Sequence, residues 1–358
     1  MLLAGSFVLS LVLTGLVKVL AKRAGFLSHP VKDRFAKKAV PLGGGIAIFI
    51  TLMVFIVTAT AAIKFFPGYI ASLAQSRNID PADFLAKVNQ LFVILLCALA
   101  LLALGLWDDK KGLGPFVKLV VQFAVAIVAA LLADVRVEFF IENKIITSVL
   151  SAFWIVLIIN AFNFLDNMDG LAAGIAVIAS SILFTAAAMS GQVFVGGLAL
   201  VFIGTLLGFL VFNFPPAKIF MGDAGSLVVG FFVALLTLRT TYYHEAESGR
   251  WYAVFMPLVV MAVPLYDFIS VTLLRVSQGK SPFVGDTQHF SHRLKRRGLT
   301  DTQTVLTLYL ATLCTGLGAA FLYQVNRVGA ILIFTQTFMI LAIIAILEKS
   351  AQNDKSSN

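Results

Sequence analysis

The chain has 358 residues, 59% hydrophobic and 13% charged, with 27 Lys/Arg against 18 Asp/Glu and a formal net charge of +9. Soluble domains are about half apolar and about a quarter charged, so this composition excludes a soluble enzyme, a disordered chain and a secreted disulfide scaffold. A polytopic membrane protein remains, and its few acids are the groups to explain.

Windows of about 20 mostly apolar residues predict eleven membrane helices: Leu2–Leu20, Leu42–Phe66, Val88–Leu106, Pro115–Ala133, Thr147–Phe162, Leu171–Ser190, Val193–Phe212, Ser226–Leu238, Trp251–Leu274, Val305–Tyr323 and Val328–Leu347. The fifth and eighth are short, so the expectation is an all-α protein with ten or eleven spans, not a barrel. The first run has no basic residue before it, and Lys18, Lys22 and Arg23 come at its end. That pattern predicts a first membrane helix with its N-terminus outside rather than a cleaved signal peptide. Cys97 and Cys314 fall in apolar runs and read as small buried hydrophobes. No loop is long enough for a soluble domain. A single membrane-embedded domain over 1–348 is expected, followed by a polar, disordered cytoplasmic tail over 349–358.

Alternating from an outside N-terminus puts 17 Lys/Arg in inner segments and 7 in outer ones, with Lys18, Lys64 and Lys118 near span ends. This is the asymmetry that insertion imposes. The acids are also skewed, 11 inner against 7 outer, and all the inner ones except Glu348 are Asp. Insertion does not require that skew.

Four inner segments carry the chemistry. Asp108-Asp109-Lys110-Lys111 ends the third span. Adjacent carboxylates suit Mg²⁺, which takes carboxylate oxygens and leaves room for phosphate; a solvated helix end is the alternative. Asn160-Ala-Phe-Asn163-Phe-Leu-Asp166-Asn167-Met-Asp169-Gly170 follows the fifth span, with Asp166 and Asp169 on one face if the segment is helical. So many polar groups between apolar spans imply a polar cavity, or else a turn. Asn213-Phe-Pro-Pro-Ala-Lys218-Ile-Phe220-Met-Gly-Asp223-Ala-Gly-Ser226 opens the eighth span. Asp223 reads either as an N-cap or as a metal or phosphate ligand at a helix start. In the last inner loop, Asp286, His289, His292 and Arg293 stand among several cations. They form either a polyphosphate site or a basic helix resting on lipid headgroups. His29 and His244 have no comparable company. Asp267, inside the ninth span, reads as a partner to another polar group or a packing hydrogen bond. Lys37 and Lys38 flank Gly43-Gly44-Gly45, glycines that serve either helix packing or close approach to a ligand.

Taken together, carboxylates suited to a divalent metal and clustered cations at one membrane face are the tools of phosphoryl transfer. A site at that face implies one lipid substrate and one soluble, anionic one. The absence of an evident internal repeat weakens a transporter reading.

Several motifs in order, VPLGGG at 40–45, Asp108-Asp109, NAFNFLDNMDGLAAG at 160–174, FMGDAGSL at 220–227 and SPFVGDTQHFSHRL at 281–294, resemble those of the polyprenyl-phosphate N-acetylhexosamine-1-phosphate transferases, the glycosyltransferase family 4 type. The resemblance runs from Arg23 to Arg297 and is strongest to the WecA/TagO-type UDP-GlcNAc:undecaprenyl-phosphate GlcNAc-1-phosphate transferases. It implies a multi-pass enzyme of the bacterial inner membrane with a cytoplasmic active site. The enzyme would move HexNAc-1-phosphate, GlcNAc-1-phosphate first of all, from a UDP-sugar to undecaprenyl phosphate. UMP would be released in this first membrane step of cell-envelope polysaccharide synthesis. Mg²⁺, or Mn²⁺ in its place, would be held by Asp223, Asp108 and Asp109. Asp108, Asp109, Asp166 and His289 are the implied catalytic groups. Lys38, Asn163, Asp169, Asn213, Phe220, His292 and Arg293 are the implied substrate-binding groups, with Asp169 and Phe220 at the uracil. The expected partners are the two substrates, the bilayer and a second copy of the chain, with no nucleic acid. Two departures stand out: Ser291 replaces the middle histidine of a His-x-His-His pattern, and Lys110-Lys111 supplies no third carboxylate after the acidic pair. The alternatives are the same chemistry on UDP-MurNAc-pentapeptide or a deoxy-HexNAc donor, a cation-coupled transporter, or a lipid-binding scaffold.

Overall fold

The structure is a computed structural model that describes residues 1–28, 39–66, 68, 88–137, 141–240, 251–281 and 289–353. Lys38, His29, His244 and Asp286 lie outside the described residues. Among the described residues the chain is helical apart from a two-stranded antiparallel ribbon, β1 (Leu27–Ser28) and β2 (Val40–Pro41), paired Leu27 with Pro41 and Ser28 with Val40.

The long helices are α1 (Leu2–Arg23), α2 (Gly44–Phe65), α3 (Val88–Lys111), α4 (Pro115–Leu132), α5 (Lys144–Leu165), α6 (Leu171–Met189), α7 (Val193–Asn213) and α8 (Gly222–Arg239). After a 3-10 turn at Trp251–Phe255 come α9 (Met256–Val260), α10 (Ala262–Ser277), the short α11 (Phe290–Lys295), α12 (Asp301–Phe321) and α13 (Arg327–Asn353). Among the described residues ten helices are long and apolar enough to cross a membrane, and eleven spans result when the bent pair Trp251–Val260 and Ala262–Ser277 counts as one. That pair bends by 64°. Pro264 has no N–H to offer the carbonyl four residues back, which puts the break where the sequence predicts one unbroken ninth span.

α8 lies at the centre. It packs against α2, α3, α5, α6 and α7, and 78% of its apolar window is buried. α1 and α13 are peripheral, each 17% buried, and α1 leaves Val8, Val12 and Leu16 exposed, as suits lipid contact. Association between helices in lipid rests on close packing rather than on the hydrophobic effect, and the sequence of α8 is built for this. A Cβ on Gly45 of α2 would lie 2.3 Å from the Gly225 nitrogen, and one on Gly105 of α3 would lie 2.3 Å from the Ala224 Cα. Gly44 and Gly45 therefore serve helix packing, whereas Gly43, at φ +104°, supplies the left-handed turn that precedes α2.

Several spans are longer than predicted. α5 gains its first turn because the Asn143 side chain accepts from the N–H groups of Ile145 and Ile146. α8 starts at Gly222 rather than Ser226 because a carboxylate from another helix caps it, as described next. α13 continues to Asn353, past the expected domain boundary at 348.

Candidate active site

One end of the bundle gathers the end of α3, the start of α4, the end of α5 with its following loop, the start of α8, α10, α11 and the last turns of α13. Asp108 stands one turn from the end of α3. Its Oδ1 accepts from the Leu113 N–H at 2.5 Å, which closes the turn into α4. Its other oxygen pairs with Lys118, and Lys118 Nζ also lies 2.8 Å from Asp223 Oδ2. An ammonium thus sits between two carboxylates from different helices. The amide of Asn163 faces the Asp223 carboxylate and donates to Ser226 Oγ at 2.9 Å.

Asp109 points elsewhere. Its Oδ1 accepts from the Asp223 N–H at 2.9 Å and its Oδ2 from the Ala224 N–H at 3.2 Å. These are orphan donors at the start of α8, so Asp109 caps that helix from outside. Gly222, at φ +71°, admits the carboxylate, because a Cβ there would lie 2.6 Å from Asp109 Oδ2. Asp223 makes no cap of its own; its carboxylate is turned to Lys118 and Asp108.

The 166–170 segment is a turn, not a continuation of α5, which ends at Leu165. Of the two readings the sequence allows, the segment takes the turn, so Asp166 and Asp169 do not share a helix face. Asp166 ends the helix, its N–H bonded to the Phe162 carbonyl at 3.1 Å. Asp169 Oδ2 accepts from the Ala217 N–H at 2.8 Å. Burial raises the Asp169 carboxyl above the ordinary range, opposed by that N–H. Asn213 is buried with both ends committed to backbone: Oδ1 accepts from the Gly170 N–H at 3.1 Å and Nδ2 donates to the Ile219 carbonyl at 2.9 Å. Phe220 is half-buried, and its backbone ties this loop to β2 and α2 through the Pro41 carbonyl and the Gly44 N–H. Tyr309 of α12 donates to the Gly170 carbonyl at 2.5 Å.

The histidines form a second wall. Asp267 is fully buried in α10, where its Oδ2 lies 2.9 Å from His289 Nδ1 and its Oδ1 accepts from the Phe290 N–H at 3.0 Å. The buried rings of His289 and His292 are 6.4 Å apart, and His289 meets the edge of Phe164 at 5.5 Å. Phe164 also carries Arg275, whose guanidinium lies 5.0 Å from the ring centroid. Burial first, then the neighbouring His289, Lys295 and Arg296, push the His292 imidazole down to about 4. Ser291, buried, donates to Asn167 Oδ1 at 2.6 Å, so the residue in place of the middle histidine ties this wall to the 166–170 loop. Arg293 donates to Ser270 Oγ at 3.0 Å and lies 3.2 Å from Glu348.

Adjacent residues of α5 join the two walls, Asn163 at the carboxylates and Phe164 at the histidines. The arrangement offers carboxylates around a central cation and, beside them, buried imidazoles and guanidinium groups. Lys118 carries no signal in the sequence beyond a lysine near a span end, four residues into an apolar run that follows the acidic pair.

This is an integral-membrane bundle whose polar groups converge at one end. The glycosyl transferase family 4 profile matches residues 91–241. The chain is 32% identical over 308 residues to a probable undecaprenyl-phosphate N-acetylglucosaminyl 1-phosphate transferase of Bacillus subtilis, covering 84% of this chain and 78% of the relative. It is 28% identical to an undecaprenyl-phosphate alpha-N-acetylglucosaminyl 1-phosphate transferase of Thermotoga maritima, covering 81% and 80%. It is also 28% identical to a decaprenyl-phosphate N-acetylglucosaminephosphotransferase of Mycobacterium leprae, covering 89% and 83%. The chain belongs to glycosyl transferase family 4, as a polyprenyl-phosphate N-acetylhexosamine-1-phosphate transferase.

Proposed function

We propose that this protein transfers N-acetylglucosamine 1-phosphate from UDP-N-acetylglucosamine to undecaprenyl phosphate and releases UMP, at the end of the bundle where Asp108, Lys118 and Asp223 meet. The observation that carries the reading is that one ammonium bridges two carboxylates from separate helices, in a chain related along most of its length to enzymes named for this transfer.

A divalent ion fits the same pair. Mg²⁺ is commonly held by one or two carboxylates and completes its shell with water and phosphate. Asp108 and Asp223 already enclose a positive charge, whereas both oxygens of Asp109 are occupied by N–H groups. Among the described residues no three His, Cys, Asp or Glu side chains form a metal cluster, so Asp108 and Asp223 would hold Mg²⁺ or Mn²⁺, with Asp109 setting the helix that carries Asp223. Once bound, the ion would supply neutralisation of the donor diphosphate.

The remaining work falls to the chain itself. Phosphomonoesters have a second pKa near about 6, so the acceptor is largely dianionic at neutral pH, and placement and charge neutralisation outweigh base catalysis. Lys118 would receive phosphate oxygens once the carboxylates engage the ion. Asp166, in the turn that ends α5, would be a further catalytic group. Asp169 and Phe220 would hold the uracil and Asn163 would face the diphosphate. Asn213 would keep the turn at Gly170 in place, and Lys38 would add charge for the incoming phosphates. His289 and Arg293 would face the donor phosphates. His292, neutral at pH 7, offers one donor and one acceptor, which matches the sugar's hydroxyl and amide groups better than a phosphate.

The inner Lys/Arg excess supports the active end facing the cytoplasm and the bacterial relatives support the inner membrane. A cation-coupled transporter would want carboxylates near the midplane, whereas these lie at helix ends. Mass spectrometry of the lipid product made from a mixture of UDP-sugars tests the donor. Undecaprenyl-diphospho-N-acetylglucosamine is expected, and a muramyl-pentapeptide or deoxysugar product would reassign it.

A further inference from the structure

The last helix carries a carboxylate that the transfer reaction does not use. Glu348 lies within the last two turns of α13 and is only 6% exposed. Burial disfavours a charge there, and the negative end of a helix dipole disfavours an anion. An apolar residue at that position would avoid both costs. Glu348 Oε2 instead accepts from the Tyr266 hydroxyl at 2.9 Å and lies 3.2 Å from the Arg293 guanidinium, which also donates to Ser270. Three helices thus meet on one side chain of α11. The opposite end of α11 is fixed by Asp267, which takes both the Phe290 N–H and the His289 ring.

A buried ion pair of this kind contributes little net stability against an apolar replacement; where it has value, it lies in fixing one arrangement. Here that arrangement is the orientation of a one-and-a-half-turn helix that carries His289, His292 and Arg293. So short a helix has almost no stability of its own. Without an anchor at each end it would not hold His289 against Phe164 and His292 beside it.

We infer that Glu348 is a positioning residue for the donor site: through Arg293 and Tyr266 it couples the C-terminal helix to α11, and Asp267 holds the other end. The inference rests on the donor reading given above. α11 carries residues assigned above to the donor and none assigned to the lipid phosphate, so the expected effect is specific to the donor.

The test uses full-length Glu348→Gln, which keeps the shape and the hydrogen bond to Tyr266, and Glu348→Asp, which keeps the charge. E348Q should raise KM for UDP-N-acetylglucosamine about tenfold while KM for undecaprenyl phosphate and kcat change less than about threefold; E348D should recover part of the loss. Amide hydrogen exchange supplies a readout that needs no activity: residues 290–297 should exchange faster in E348Q, with α3 and α8 unchanged. Faster exchange at 290–297 in E348Q, together with a wild-type protein that releases no UMP from UDP-N-acetylglucosamine, would sink the donor reading and keep the anchor. Unchanged exchange at 290–297, or a donor KM within twofold of wild type in an active enzyme, would overturn the proposal.

Discussion

Lys118 Nζ lies 2.8 Å from Asp223 Oδ2 and pairs at the same time with Asp108, across the turn that joins α3 to α4. One lysine therefore occupies the point where two carboxylates from separate helices converge. Removing either carboxylate leaves the other facing an unshared ammonium. Asp108→Asn and Asp223→Asn should each lower turnover at least ~100-fold. Lys118→Gln should do the same, because it removes the ammonium that would receive phosphate oxygens once the two carboxylates engage the ion. UMP release by the purified protein checks all three.

Asp109 should behave differently from its neighbour. It accepts two N–H groups at the start of the central helix, so Asp109→Asn exchanges one acceptor oxygen for a donor facing an N–H. The expected loss is ~1–3 kcal/mol of stability together with activity. Asp108→Asn should leave unfolding much nearer to wild type. Thermal unfolding of both variants in one detergent separates a cap from a catalytic group.

Gly105→Ala would place a Cβ 2.3 Å from the Ala224 backbone. Backbone there cannot yield as a flexible side chain can, and overpacking costs ~1–3 kcal/mol. Because the displaced segment carries Asp223, Gly105→Ala should lower both Tm and turnover. Ser226, one turn further along and bonded to Asn163, should tolerate Thr better than Gly105 tolerates Ala. Unfolding curves with matched rate measurements test the pair.

His292 sets the acid side of stability. Its imidazole is depressed from 6.5 to about 4 in the folded protein, so the unfolded chain takes up the proton first. The contribution is therefore intact above pH 6.5 and is lost as pH falls toward 4, by up to ~3 kcal/mol. Asp169, raised by burial, acts with the opposite sign. Its folded form binds the proton more tightly, so it loses stability as pH rises above the ordinary carboxylate range. Unfolding temperatures of wild type and His292→Gln followed between neutral pH and about pH 5 should converge if His292 carries the effect.

Much of the fold was legible because a membrane helix is a property of local composition. Runs such as Val193–Phe212 need no partner to be recognised, and α7 closely matches that prediction. What composition could not show is what reaches in from elsewhere. α8 begins four residues early because Asp109 of α3 caps it, and the two are 114 positions apart in sequence. A separation of 105 positions likewise hides Lys118, whose meaning depends on Asp223. Asp166 and Asp169 have a helical spacing, yet the segment turns where Asn213 and Tyr309 bind Gly170. Ser291 looks like a lost histidine in sequence and proves to be a hydrogen-bonded tie to Asn167. The candidate acids and histidines could be named from their clustering in polar inner segments, whereas the division between reacting groups and holding groups appears only from their partners.

The most direct test of the account is UMP release from UDP-N-acetylglucosamine and undecaprenyl phosphate by the wild-type protein and by Asp223→Asn, each with Mg²⁺ present and after its removal by chelation. The account predicts turnover by wild type only when the metal is supplied, and turnover by Asp223→Asn at least ~100-fold lower in its presence. Equal rates for the two proteins, or undiminished wild-type turnover after chelation, would contradict it.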